Sequence, residues 1–298
     1  MRVLVTGATG YVGTAVIAEL VGAGHTVLGV ARSDEGAHAL AARGIEVHRG
    51  DLTEPQTLAD AARVCDGVVH TAFIHDFSRF AENAEIERVA VEAVLSALEG
   101  SDKPFVISSG LLMMRPGTIL TETDVGADFG RGGTENMVAA AAKRGVRTAA
   151  IRLAPTVHSK DDRGFTPRLI DIARQSGVAA YIGDGANSWP AVHRLDAARL
   201  YRLALEKGSP GARYHAVGDE GVPTREIAEA IGRHLDLPVE SIAAEKAGEH
   251  FGFLGMFFGI DAPASAHVTR AELDWAPREP GLLAGLATDA YYQAGSKY

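Results

Sequence analysis

The residues best suited to chemistry stand at the ends of apolar, strand-like runs. In MRVLVTGATGYVG, Gly7, Gly10 and Gly13 are spaced G-x-x-G-x-x-G between an apolar run and an amphipathic one. Such a turn brings backbone N–H groups, here those around Tyr11 and Val12, close to a pyrophosphate at the positive end of a helix. The second apolar run ends Ala31-Arg32-Ser33. A ribose 2′-hydroxyl calls for a carboxylate at that place and a 2′-phosphate for an arginine. Arg32 has the fork for a phosphate and Ser33 a hydroxyl to donate, so the expected cofactor is NADP(H), although Asp34 and Glu35 follow at once.

These residues need a frame, and the periodicity supplies one. Strand-like runs at 2–6, 25–31, 44–50, 67–72, 104–110 and 146–155 alternate with helix-like runs at 14–24, 58–64, 85–100 and 134–145. Thr53, Pro55 and Gln56 have the spacing of a helix start. This alternation predicts an α/β fold, a doubly wound parallel sheet with helices on both faces. The pattern loosens after residue 155. A helix at 194–208 and a short strand at 214–218 are expected to rejoin the sheet. The nucleotide-binding domain is then 1–157 plus about 191–220. Segments 158–190 and 221–298 form a smaller, mostly helical substrate lobe over the sheet's carboxyl edge, packed against it with a cleft between.

The 298 residues are 46% hydrophobic and 22% charged, enough for a sizeable core. A formal net charge of −9 argues against a nucleic-acid or anionic-membrane partner. The single cysteine, Cys65, excludes an internal disulfide and any multi-cysteine metal site, and fits a cytoplasmic location. No signal-peptide layout and no apolar run of membrane-spanning length is expected.

TGATGYVG, Gly50-Asp51-Leu52 and Val69-His70-Thr71-Ala72 resemble the extended short-chain dehydrogenase/reductases, the superfamily of NAD-dependent epimerases and dehydratases. RLAPTVH (152–158) is similar to that family's R-x-x-x-V-Y-G, AVHRLDAA (191–198) to its V-H-V-D-D-A, and LDWAP (273–277) to its closing L-G-W-x-P. The resemblance covers essentially the whole chain. It implies a Rossmann fold, Asp51 and Leu52 near the adenine, and Thr71, Ala72 and Phe73 along the cofactor. The family's catalytic pair, spaced Y-x-x-x-K, is missing: none of the seven tyrosines has a lysine four residues on. Counting back from Glu135 puts Arg131 at the lysine position and Ala127 at the tyrosine position. The chain therefore resembles an atypical branch.

Ser108 and Ser109 end the fifth strand, where the family places its serine. Ser109 is the candidate to polarise a substrate carbonyl, with Ser108 beside the cofactor. Arg131 is the candidate to hold the nicotinamide ribose or a phosphate; a guanidinium does not give up its proton near neutral pH. His158, at the tyrosine of V-Y-G, has the intrinsic pKa for acid–base work, with Tyr181 and a bound water as rivals. His193 and Asp196 read as structural, Asp196 as a helix cap. HFGFLGMFFG (250–259), Phe73, Phe77, Met113, Met114, Phe129, Phe165 and Trp189 suggest an apolar ligand. The expected activity is an NADP-dependent oxidoreductase acting on a fairly apolar carbonyl, enone or imine. A non-catalytic NADP-binding sensor is the alternative, and a sugar-nucleotide epimerase or dehydratase a further one. The 85–100 and 134–145 helices are of the kind that pair in a homodimer.

Overall fold

The computed structural model describes residues 1–111 and 117–292. In chain order the elements are β1 (Arg2–Thr6), α1 (Tyr11–Gly22), β2 (Thr26–Ala31), α2 (Asp34–Ala41), β3 (Glu46–Arg49), α3 (Pro55–Arg63), β4 (Gly67–His70), α4 (Phe80–Leu98), β5 (Pro104–Gly110), α5 (Gly130–Ala141), β6 (Arg147–Leu153), β7 (Thr156–His158), α6 (Phe165–Ser176), β8 (Ala179–Ile182), β9 (Ser188–His193), α7 (Arg194–Lys207), β10 (Ala212–Ala216), β11 (Asp219–Pro223), α8 (Thr224–Leu235) and β12 (Val239–Ile242). Short helical turns follow.

Seven strands make one sheet in the order β10-β6-β5-β4-β1-β2-β3. Every pairing in it is parallel. The reversal of strand order lies between β1 and β4. In a doubly wound sheet the crevice outside the carboxyl ends at that point takes the ligand. The strands read as continuous apolar runs because both faces are covered. One face packs Val3, Val5, Val69 and Val106 under α1 and α7; the other packs Leu4, Val68, Phe105 and Ile107 under α3, α4 and α5. The expected strand at 214–218 is β10, at 212–216, and it closes the β6 edge.

The remainder is not only helical. β11, β9 and β7 form a three-stranded sheet, and β12 pairs with β8. Around them Trp189, Phe251, Leu254, Phe258 and Leu286 form a separate core. Two details of the sequence reading change. The helix α3 starts at Pro55 with Glu54 as its cap, while Thr53 donates its hydroxyl to Asp51 at 2.7 Å. Helix α7 is capped by His193, which accepts from Leu195 N–H, whereas Asp196 lies inside the first turn. The Asp196 carboxylate accepts the backbone N–H groups of Arg278 and Glu279 at 2.9 and 3.0 Å, and Trp275 donates its indole N–H to the Asp196 carbonyl. The closing LDWAP segment is thereby pinned to the helix that packs against β5 and β6.

Candidate functional site

Each glycine of the first turn has its own geometric reason. Gly7 has φ +65°, and a Cβ on it would meet the Thr71 hydroxyl at 2.7 Å and the Ala72 nitrogen at 2.8 Å. A Cβ on Gly13 would fall 2.1 Å from the Gly7 carbonyl oxygen, so only hydrogen lets α1 approach the turn. Gly10 caps α1 with extended backbone and offers no side chain to the helix's first N–H groups. Tyr11, Val12 and Gly13 thus begin a 12-residue helix whose first N–H groups have no partner among the described residues, the arrangement that receives a phosphate. The neighbouring strand end is fixed to this turn: Thr71 donates to the Thr6 carbonyl at 2.8 Å, and Ala72 N–H donates to the Thr6 hydroxyl at 3.3 Å.

On the β2–β3 side, Arg32 is exposed, and among the described residues its guanidinium makes no hydrogen bond or ion pair. Ser33 caps α2 by accepting from Gly36 N–H at 3.2 Å, which leaves its own hydroxyl proton available. Asp34, the acid that follows in sequence, is paired with Arg49 at 3.1 Å. The Asp51 carboxyl is held low chiefly by the Thr53 backbone N–H, with the Arg32 charge adding to it, and Leu52 is buried beside it.

At the other end, Arg131 in the first turn of α5 reaches across the carboxyl ends of β4 and β5. Its Nε and Nη2 donate to Glu87 of α4 at 3.2 and 3.0 Å, and Nη2 also donates to the Ser108 carbonyl at 2.6 Å. Its flat face lies 4.4 Å from the centre of the Phe73 ring. Glu87 is fully buried; burial pushes its carboxyl up, and the Arg131 charge opposes that. Nothing in the sequence reading singled out Glu87. The signal was there, since Asn83, Ala84, Glu87, Ala90, Val91, Val94 and Leu95 form one buried stripe with a carboxylate in its middle.

The model for the NAD dependent epimerase/dehydratase family matches residues 3–113. An uncharacterized protein of Schizosaccharomyces pombe is 43% identical over 98% of this chain and 100% of its own length. The chain belongs to the NAD dependent epimerase/dehydratase family. More distantly, it is 28% identical to the 2-alkyl-3-oxoalkanoate reductase of Stenotrophomonas maltophilia, over 78% of this chain and 74% of that protein. Its fold is that of the Thermus thermophilus UDP-glucose 4-epimerase solved with NAD, with a TM-score of 0.77, 19% identity, and 99% and 100% of the two chains covered.

Of the two positions that the sequence resemblance singled out, Arg131 has its guanidinium beside the carboxyl end of β5, while Ala127 is exposed. Ser108 is buried, sharing a 2.6 Å hydrogen bond with Tyr201 of α7 and donating to the His70 carbonyl at 3.2 Å. Ser109 faces the other side of the sheet and is hydrogen-bonded to Glu135. Burial alone would raise the Glu135 carboxyl, but Arg152, Ser109 and Arg213 together hold it below its usual range. Arg152 is itself fully buried and donates to Glu135, Thr121 and Asp124, so the R-x-x-x-V-Y-G arginine fixes the segment before α5.

His158 does not sit as an acid would. It is fully buried, its Nδ1 lies 2.8 Å from the Tyr291 hydroxyl, and His193 is edge-on at 5.5 Å. Burial, then the His193 charge, pushes its pKa down to about 3, so at neutral pH it carries no extra proton to give. Tyr181 is also elsewhere: it lies on β8, with its hydroxyl accepting from Arg225 at 2.8 Å. Within the aromatic stretch 250–259, Phe251, Leu254 and Phe258 are lobe interior while Met256 is exposed, and Trp189 packs between Phe165 and Phe258. Phe73 is at the site and Phe129 is 74% exposed just before Arg131. Met113 and Met114 lie outside the described residues, as does the Phe77 side chain.

Proposed function

We propose that this protein is an NADP-dependent oxidoreductase that reduces a ketone carried on a fairly apolar substrate. The observation that supports it best is the pairing, across one crevice, of an uncapped glycine-turn helix with a guanidinium fixed at the far end. The residues fit a dinucleotide: Gly7, Gly10 and Gly13 leave a cradle that a Cβ would fill, with α1 N–H groups opening onto it. In this reading Tyr11 and Val12 bind the pyrophosphate, Arg32 and Ser33 the 2′-phosphate, and Asp51 and Leu52 flank the adenine. Thr71, Ala72, Phe73 and Ser108 line the path to the reactive end. When bound, the reduced nicotinamide supplies a hydride to the carbonyl carbon.

Arg131 then faces the cleft with Nη1, which makes no hydrogen bond among the described residues. Its N–H groups donate to the ribose or to the carbonyl oxygen and stabilise negative charge developing there. Ser109 orients the Glu135 network rather than touching substrate. The oxygen takes its proton from water, because neither His158 nor Tyr181 is placed to give one. The relative named as a 2-alkyl-3-oxoalkanoate reductase makes a 3-oxo acid with an alkyl branch the first substrate to try. A sensor that binds NADPH without turnover is the second reading, favoured by the missing Y-x-x-x-K pair.

The test is NADPH consumption with a panel of branched 3-oxo acids and apolar ketones, beside UDP-glucose. Consumption with a ketone, lost in Arg131→Ala, agrees with the reading. Tight NADPH binding with no consumption favours the sensor, and conversion of UDP-glucose would favour an epimerase.

A further inference from the structure

Arg131 has five N–H groups, and the structure commits one edge of them completely. Glu87 takes Nε and Nη2, Nη2 also reaches the Ser108 carbonyl, and Phe73 covers one face at 4.4 Å. Glu87 is fully buried within the apolar stripe of α4, whereas the Arg131 side chain is 24% exposed at the crevice. A guanidinium holds an anion most strongly when a two-nitrogen edge of its fork is open to it, and a carboxylate already on that edge offsets its charge. Here the Nε/Nη2 edge and the charge are both matched from below.

We propose that Glu87 is a positioning residue that makes Arg131 a charge-balanced donor, presenting only Nη1 to the cleft, so that this end of the site accepts a neutral oxygen and refuses a free phosphate. The acceptor is a ribose hydroxyl or a substrate carbonyl; this part rests on the dinucleotide reading. The division of labour follows. Exposed Arg32 is the anion-binding arginine, and Arg131, seated on its own carboxylate, is the oxygen-orienting one.

The experiment uses inorganic phosphate as the probe, on the full chain without cofactor. Phosphate binding is followed by calorimetry and thermal shift for the parent, Glu87→Gln and Glu87→Gln/Arg131→Ala. The amide keeps the shape of Glu87 but releases the charge of Arg131. Glu87→Gln should bind phosphate at least about tenfold more tightly than the parent, and the double variant should lose that gain. In Glu87→Gln alone NADPH affinity should fall by about tenfold, with Arg32→Ala adding to the loss independently. No gain of phosphate affinity in a folded Glu87→Gln overturns the proposal, as does a gain that survives removal of Arg131. Should Glu87→Gln not fold, Arg131→Met answers from the other side. With no guanidinium to oppose burial, the stranded Glu87 carboxyl would be pushed further up, and stability would fall as pH rises through its titration. A pH dependence of stability identical to the parent's would overturn the proposal. A parent that binds no NADPH would sink the dinucleotide reading while leaving the phosphate comparison intact.

Discussion

Arg32 and His158 carry the sharpest differences between residue type and surroundings. Arg32 is exposed and, among the described residues, unpaired, with Asp34 tied to Arg49 instead. Arg32→Ala should weaken NADPH binding by about 10- to 100-fold, the worth of one or two charge-assisted hydrogen bonds, and leave NADH unchanged. Calorimetric titration of both nucleotides checks it; equal losses for the two would remove Arg32 from the 2′-phosphate. His158→Gln should leave the pH–rate profile unaltered, because a ring with its pKa near 3 has no proton to supply at neutral pH. It should instead lower stability by roughly 1–3 kcal/mol, as the Tyr291 hydroxyl loses its buried partner. A loss of activity of about 10²-fold or more together with one ionisation would restore His158 as the acid. The glycine turn was legible in the sequence because its three glycines fall within seven residues between a strand and a helix, although the close neighbours of Gly7, Thr71 and Ala72, come from the end of β4. Glu87 was not, because its partner lies 44 residues away and only the fold brings them together. The roles of Ser108 and Ser109 were also out of reach, since adjacent residues on β5 face opposite helices, Tyr201 on one side and Glu135 on the other.

At the scale of elements, the parallel sheet was legible wherever a strand is buried on both faces and followed by an amphipathic helix. Helix α2 was not, for a physical reason: Leu40 is its one buried residue, so it shows no periodic face. The small sheets were hidden too. β7 has three residues, and β8 finds its partner β12 some sixty residues later, so neither alternation nor a hairpin turn marks them. The cap of α7 was misplaced because His193 accepts the backbone N–H there, freeing Asp196 to hold the 278–279 segment. One element-level prediction follows from the Arg152–Glu135 pair, which ties β6 to α5 and to the segment before it. Arg152→Leu should cost about 3–5 kcal/mol by urea unfolding, because it strands a buried carboxylate, with Arg213 keeping the figure toward the lower end. A cost below about 1 kcal/mol would show that the pair does not hold these elements together.

For the whole molecule, burial sets the response to acid. His70 and His158 are held near pKa 3, and His75, His193 and His215 are also lowered. Each binds a proton more readily in the unfolded chain, whose histidines titrate near 6.5. Stability contributed by each is therefore full above 6.5 and is lost as pH falls, at about 1.4 kcal/mol per pH unit for a fully buried ring. Asp162, pushed up by burial to about 7, and Glu87, also pushed up by burial, oppose with protons of the other sign. Tm should accordingly fall steeply from pH 6.5 to 4.5, and a flat Tm over that range would mean that these rings are charged or solvated in the fold. We also propose a homodimer through α4 and α5, which sedimentation at several concentrations tests; a monomer mass throughout would reject it. The central claim is hydride transfer from a nucleotide held by the glycine turn to a ketone carbonyl at the Arg131 end of the crevice. The direct measurement is label transfer from NADPH deuterated at the nicotinamide C4, with a branched 3-oxo acid as acceptor and mass spectrometry of the product. The account predicts one deuterium on the new carbinol carbon, abolished in Arg131→Ala. Saturable NADPH binding with no deuterium in any product across the ketone panel would contradict it.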